Sequence, residues 1–185
     1  MTRAFRRALP ALCALLSALA LSGCIDSADP ILSSANPEFG QKLNLQFYSL
    51  SKDVATEPSR ESFTWNGALY VHARGARTVD GFTVHPFENG DYIVQSLSKD
   101  HKVEYALLRK LVEGVYLARA IDEEDADEQT RTSLCNKGGK YSCRIETRDQ
   151  LFTFARATAA RKYSTGGLVL RLRDLPENLH RRKAR

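Results

Sequence analysis

Leu43, Leu45 and Phe47 alternate with Asn44 and Gln46, the two-residue period of a strand with one face in a core. Ser51 to Glu61 is polar and holds Pro58, so it reads as a loop. Phe63, Trp65, Leu69, Tyr70 and Val71 then flank Asn66-Gly67. That pattern predicts a tight hairpin, or one long strand bulged at Gly67. Arg74 to Gly81 is a second loop. Phe82, Val84 and Pro86 alternate with Thr83, His85 and Phe87, a strand that Pro86 confines to an edge or kinks. Asn89-Gly90-Asp91 turns the chain into Tyr92, Ile93, Val94 and Leu97, and Lys99 to Lys102 makes a polar turn. Val103, Tyr105, Leu107 and Leu111, then Val115, Leu117 and Ile121, keep period two around Glu113-Gly114. Leu107-Leu108 and Leu111-Val112 also fit a helical period, but the Val and Tyr content and the central Gly114 favour strands. Phe82 to Ile121 is therefore expected to form an antiparallel meander. Leu168, Leu170 and Leu172 alternate with Val169, Arg171 and Arg173 as a last strand.

The period changes once. Thr147-Arg148-Asp149-Gln150 is a capping box, and Leu151, Phe154, Ala155, Thr158 and Ala159 recur at helical spacing as far as about Lys162, before Gly166-Gly167. Its alanines suit packing on a sheet. A helix lying on a membrane has only Phe152, off the main stripe, in its favour. The expected fold is α+β: an antiparallel, curved or barrel-like sheet of about six to eight strands with one C-terminal helix packed on it.

Ahead of this domain the pattern is of another kind. Arg3, Arg6 and Arg7 precede Leu9 to Leu21, uncharged and apolar except for Ser17. A run of about 13 residues is too short to span ~30 Å of hydrocarbon, and the order is that of a secretory signal. Leu21-Ser22-Gly23-Cys24 resembles the lipobox of bacterial lipoproteins. The resemblance implies that residues 1–23 are a signal peptide cut before Cys24, that the Cys24 thiol is diacylated, and that the new amino group is acylated too. Such a protein is anchored to a membrane by lipid and faces the periplasm; several chains hold stably where one binds only marginally. Ile25 rather than an aspartate follows the cysteine, which by the same resemblance favours the outer over the inner membrane, with Asp26 one place later. The match covers the leader and says nothing of the domain. Residues 24–42 read as the lipidated cysteine and a flexible tether rich in Asp, Ser, Pro and Gly, a coil reaching ~20–25 Å. Residues 43–175 are the single globular domain, and 176–185 a basic tail.

Charge changes the picture in one respect. The formal +5 falls to +2 without Arg3, Arg6 and Arg7, and to −2 for the body without Arg181, Arg182, Lys183 and Arg185. A nucleic-acid-binding domain concentrates cations on its folded body, so nucleic acid is not an expected partner. The tail is a candidate electrostatic contact for peptidoglycan carboxylates or anionic lipid, against the simpler role of a solubilising end.

Candidate chemistry is sparse. With Cys13 in the leader and Cys24 lipidated, Cys135 and Cys143 remain for an oxidising compartment, and a disulfide is expected. A metal or redox pair is the rival, without CxxC spacing or a nearby histidine. Asp122 to Glu128 is acidic but lacks the glycine and alternation of a calcium loop; a solvated loop or a helix N-terminus is expected. His72, His85, His101 and His180 show no local metal spacing, so no metal or other cofactor is assigned. No nucleophile elbow or phosphate loop exists. Most of the aromatics Phe63, Trp65, Tyr70, Phe82, Phe87, Tyr92, Tyr105 and Tyr116 are expected in the core; any on the outer face of the sheet becomes a candidate binding surface. Three functions stay open: a non-enzymatic, lipid-anchored envelope module binding a protein or polymer; a periplasmic inhibitor of a cell-wall hydrolase; and an uncharacterised hydrolase, which a deep pocket lined by His72, His85 or carboxylates would favour.

Overall fold

In a computed structural model the alternating segments join into a ring. The structure describes residues 25–33, 36–49, 58–72, 81–97, 103–137, 143–161 and 168–173. The leader, Cys24, His101, His180 and the basic tail lie outside them. The strands are β1 (Asp26–Ser27), β2 (Lys42–Ser49), β3 (Ser59–Trp65), β4 (Tyr70–His72), β5 (Gly81–Pro86), β6 (Tyr92–Leu97), β7 (Val103–Val112), β8 (Val115–Ala120), β9 (Asn136–Lys137), β10 (Cys143–Arg144) and β11 (Leu168–Leu172). From β2 to β8 each strand pairs antiparallel with the next, and β11 bridges β8 to β2. The ring β2-β3-β4-β5-β6-β7-β8-β11 is thus a closed eight-stranded antiparallel barrel. Closure removes every strand edge in the ring. Pro86, expected at an edge or a kink, is instead the exposed last residue of β5, where the ladder ends opposite Tyr92.

The turns follow local chemistry. Asn66 Oδ1 accepts from the Ala68 and Leu69 amides, closing a hairpin in which Trp65 faces Tyr70. Asn89 and Gly90 adopt left-handed conformations (φ 56° and 81°) between β5 and β6, which Asn and Gly reach at least cost. Polar Ser59 to Glu61, expected in a loop, instead begins β3.

Two helices pack on the barrel where one was expected. α2 (Arg148–Ala160) has the expected capping box, Thr147 Oγ1 accepting from the Gln150 amide and the Gln150 side chain reaching back. It buries Leu151, Phe154, Ala155 and Thr158 against the outer wall of β7. Phe152 packs edge-on to Phe87 rather than facing outward. α1 (Glu128–Leu134) has no apolar stripe to betray it; Asp127 sets its start by accepting from the Thr130 amide at 2.7 Å. The acidic run is thereby explained, since Asp122 caps the 3-10 turn Glu123–Asp125 in the same way.

The tether expected from residue 25 is not free coil. Ile25, Leu32 and Phe39 are buried, and β1 pairs with β7 and β10. Gln95 holds Leu32 with two hydrogen bonds, accepting from its amide at 2.9 Å and donating to its carbonyl at 3.0 Å. Ser27 Oγ meets the Tyr105 hydroxyl at 2.6 Å. Phe39 enters the barrel, its amide donating to the Tyr70 hydroxyl, which donates in turn to the Gly40 carbonyl. Ile25 therefore already belongs to the folded unit.

Candidate functional site

Side-chain alternation puts Leu43, Leu45, Phe47, Glu61, Phe63, Trp65, Tyr70 and His72 inside the barrel from the first three strands of the ring. The two ends of that interior differ. Ser59, His72, Gly81, Leu97, Val103 and Leu168 end their strands at one mouth. At the opposite end Leu43, Trp65, Tyr70, Tyr116 and Leu172 are buried together with Phe39. Phe39 sits 4.9 Å from the Tyr92 ring and 5.7 Å from that of Tyr116 and acts as a stopper. At the first mouth the inward-facing Phe47, Phe63, Phe82, Val94 and Leu168 all keep part of their surface in solvent. So do Glu61, His72, Ser96 and Glu104. Among the described residues this end of the interior is therefore a half-buried, partly polar surface, which we call the cup. The connections that follow these strand ends, 50–57, 73–80, 98–102 and 162–167, lie outside the described residues.

One wall of the cup is a continuous run of rings. His72 lies edge-on to Phe63 at 5.5 Å, Phe63 edge-on to Phe82 at 5.0 Å, Phe82 stacks on Tyr70 at 5.4 Å, and Tyr70 meets Trp65 at 5.1 Å. These are the separations at which aromatic pairs attract. The facing wall is low, with Ala106, Ala118 and Ala120 pointing inward from β7 and β8. At the rim of this wall His72 Nε2 lies 2.6 Å from Glu61 Oε2, with both side chains about a fifth exposed (23% and 22%). Deeper in, burial pushes the Tyr70 phenol up to about 12, against the partial relief of the Phe39 amide, and burial raises Tyr116 as well. The floor therefore stays uncharged at any physiological pH. The cup offers an apolar aromatic surface with a polar spot at its rim.

Sequence reading missed this site. Glu61 lay in the expected loop, and His72 had no partner at helical spacing. The available signal was the hairpin at Asn66: it pairs Phe63 with His72, and alternation then turns Glu61 to the same interior. Of the other aromatics, Phe87 and Tyr105 face outward and pack against Phe152 of α2 and against Ser27.

The remaining candidates are structural. Cys135 and Cys143 form the expected disulfide, Cα atoms 4.9 Å apart, joining the end of α1 to β10. With Glu123 they form the one group of three potential metal ligands among the described residues. The sulfurs are bonded to each other and offer no thiolate to a metal. His85 Nε2 is 2.7 Å from Thr83 Oγ1, but Thr83 is 2% exposed beneath Leu32 and no substrate reaches it. An open groove of about 440 Å³ runs beside Asp125, Asp127, Thr153 and Arg161. Its buried carboxylate, Asp125, is engaged by Arg119 and Arg161, and Arg109 and Arg119 bond the last carbonyls of α2. That seam docks the helix C-terminus, where cations suit the dipole. No protein-family model matches the chain, and no curated protein or solved structure matches it either.

Proposed function

We propose that this is a lipid-anchored protein of the bacterial envelope, held at the outer membrane and facing the periplasm, whose barrel is a non-enzymatic binding module for a small amphipathic molecule. The lipobox at Leu21 to Cys24 supports the anchor and the address. The observation that carries the binding function is the asymmetry of the barrel interior: filled by Phe39 and its neighbours at one end, and lined at the other by the partly exposed His72, Phe63 and Phe82. An acyl chain or flat apolar ring suits that wall, and a hydrogen-bonding head group suits the Glu61–His72 rim. The ligand needs no resident metal or cofactor.

The single tryptophan, Trp65, lies at the inner end of the aromatic wall and reports on occupancy. The domain from Ile25 onward, titrated with a bromine-labelled fatty acid, should lose Trp65 emission saturably. Ala118→Phe should fill the low wall and abolish the quenching while the domain stays folded. Unchanged emission in the parent domain would refute the cup as a binding site. The anchor is tested separately: Cys24→Ala should abolish labelling by a palmitate analogue and leave the precursor uncut.

A further inference from the structure

We propose that the filled end of the barrel carries a membrane contact of its own: the tip of the β7–β8 hairpin inserts into an anionic lipid surface, with the cup at the far end. Alternation breaks at this tip. The β7–β8 register shifts between Lys110 and Val112, just before the Glu113-Gly114 turn, where Gly114 takes φ 72°. Such a bulge re-aims side chains. Strict alternation would turn one of Leu111 and Val112 inward. Here both face solvent, 43% and 61% accessible, and they are the exposed large apolar side chains of the described residues. At this end the connections between strands, 66–69, 87–91 and 113–114, are all described, and Leu111 and Val112 stay exposed beside them.

Charge selects the occupant. Arg171 pairs with Val115 just past the turn, the Leu172 amide donates to the Gly114 carbonyl at 2.8 Å, and Arg173 follows. Both arginines are exposed, as is Lys42 at the start of β2. The acids of the same end are engaged. Glu113 Oε2 lies 2.9 Å from Lys110 Nζ, and Glu88 Oε1 lies 2.9 Å from Arg156 Nε. Asp91 accepts from the Lys110 amide at 2.8 Å, and Glu38 is half-buried before Phe39. Residues 174–185, which follow Arg173 at this end, carry Arg181, Arg182, Lys183 and Arg185 against Asp174 and Glu177. An apolar tip flanked by cations fits an anionic headgroup layer, where each cation strengthens binding about fivefold. The chain before Ile25 also leads away from the cup, because β1 runs antiparallel to β7. The contact does not depend on the lipidation of Cys24.

The test uses residues 24–185 with Cys24→Ser, which are unlipidated and hold every described residue. This chain should co-sediment with phosphatidylglycerol vesicles at low salt and not with phosphatidylcholine vesicles. Leu111→Ser with Val112→Ser should lower the partitioning at least ~tenfold. Arg171→Gln with Arg173→Gln should lower it by about as much. All four positions are exposed, so Trp65 emission should stay that of the parent. Val112→Phe, a larger apolar side chain at an exposed position, should raise the partitioning. A fluorophore on Val112→Cys should shift to the blue on the vesicles, and one on Ser59→Cys, at the mouth, should not. Deleting residues 181–185 should weaken binding and leave its sensitivity to Leu111 and Val112. If that deletion removes all binding while the double serine variant binds like the parent, the tail is the contact and the proposal falls. Equal binding to both lipids, or equal shifts of the two probes, overturns it as well. A dimer that the double serine variant dissolves, without vesicle binding by the parent, assigns the tip to a second copy of the chain and overturns the membrane contact.

Discussion

The two ends of the barrel are built from the same strands and teach opposite lessons. At the closed end each strand places a large side chain inward, and Phe39 fills what remains. At the open end the same strands place Ser96, Ala106, Ala118 and Ala120 among half-buried rings. Eight strands enclose an interior just wide enough for side chains to fill, or to hold one small ligand. Here the choice is made by residue volume along each strand, one end filled and the other not. The first end supplies stability and the second supplies surface.

The sharpest way to break this comparison is to truncate one ring at each end. Tyr70→Ala removes a fully buried ring and its two hydrogen bonds, and should cost about 3–5 kcal/mol in denaturant unfolding. Tyr70→Phe should cost about 1–3 kcal/mol, because the Phe39 amide is left buried without its acceptor. Phe63→Ala should cost clearly less than Tyr70→Ala while weakening amphiphile binding more. If Phe63→Ala destabilises as much as Tyr70→Ala, the open end is part of the core and the distinction fails.

The disulfide comes next in size. It closes a short loop beside β10, which extends the wall of the cup through β1. Replacing Cys135 and Cys143 by serine should lower stability by about 2–3 kcal/mol. The comparison is sharpened if Trp65 quenching by the amphiphile survives in that variant, since the sulfurs lie outside the barrel. Thr147→Ala, which removes the cap of α2, should cost about 1 kcal/mol. An unchanged midpoint would mean that Gln150, bonded also to the Leu134 carbonyl, holds the helix start alone.

What could be read in advance follows from where each partner sits in the chain. Strands, the Asn66 and Asn89-Gly90 turns and the α2 cap are local, and alternation or a four-residue motif reveals them. The antiparallel, barrel-like sheet was legible for that reason. Its closure was not, because β2 and β11 meet across most of the chain and nothing in Leu168 to Leu172 names Leu45 and Phe47 as neighbours. The segment from Ile25 misled for the same cause. Its few apolar residues are diluted by Asp, Ser and Pro, and they fold because Gln95 and Tyr105 wait 63 and 78 residues further on. α1 was hidden by its polarity. The cup was half legible: its rings were marked as interior, but only register shows which end they leave open.

The smallest expected effect lies away from both ends, on the outer face that carries the N-terminal segment. His85 is held below the usual histidine value, first by burial and then by the charge of Arg148 at the start of α2. An unfolded histidine titrates near pH ~6.5. Between that value and the lower folded one the unfolded chain binds more protons, so stability rises with pH across this window. The His85 contribution is complete above the unfolded value and is lost as pH falls through the folded one. Asp122 and Glu123 are shifted upward by burial and have the opposite sign, but both are common to parent and variant and cancel in the difference. Denaturant unfolding at pH 7.5 and pH 5.5 should therefore show a loss in the parent domain that His85→Gln reduces. Arg148→Gln should reduce it too, by removing the neighbouring charge. The Thr83 hydroxyl beside His85 also meets the Gln95 amide that holds Leu32. Protonation at His85 should therefore loosen residues 31–32 before either end of the barrel. Hydrogen exchange at the Leu32 amide that quickens at pH 5.5 in the parent and not in His85→Gln would place the effect there. Exchange that is indifferent to pH would confine it to the imidazole.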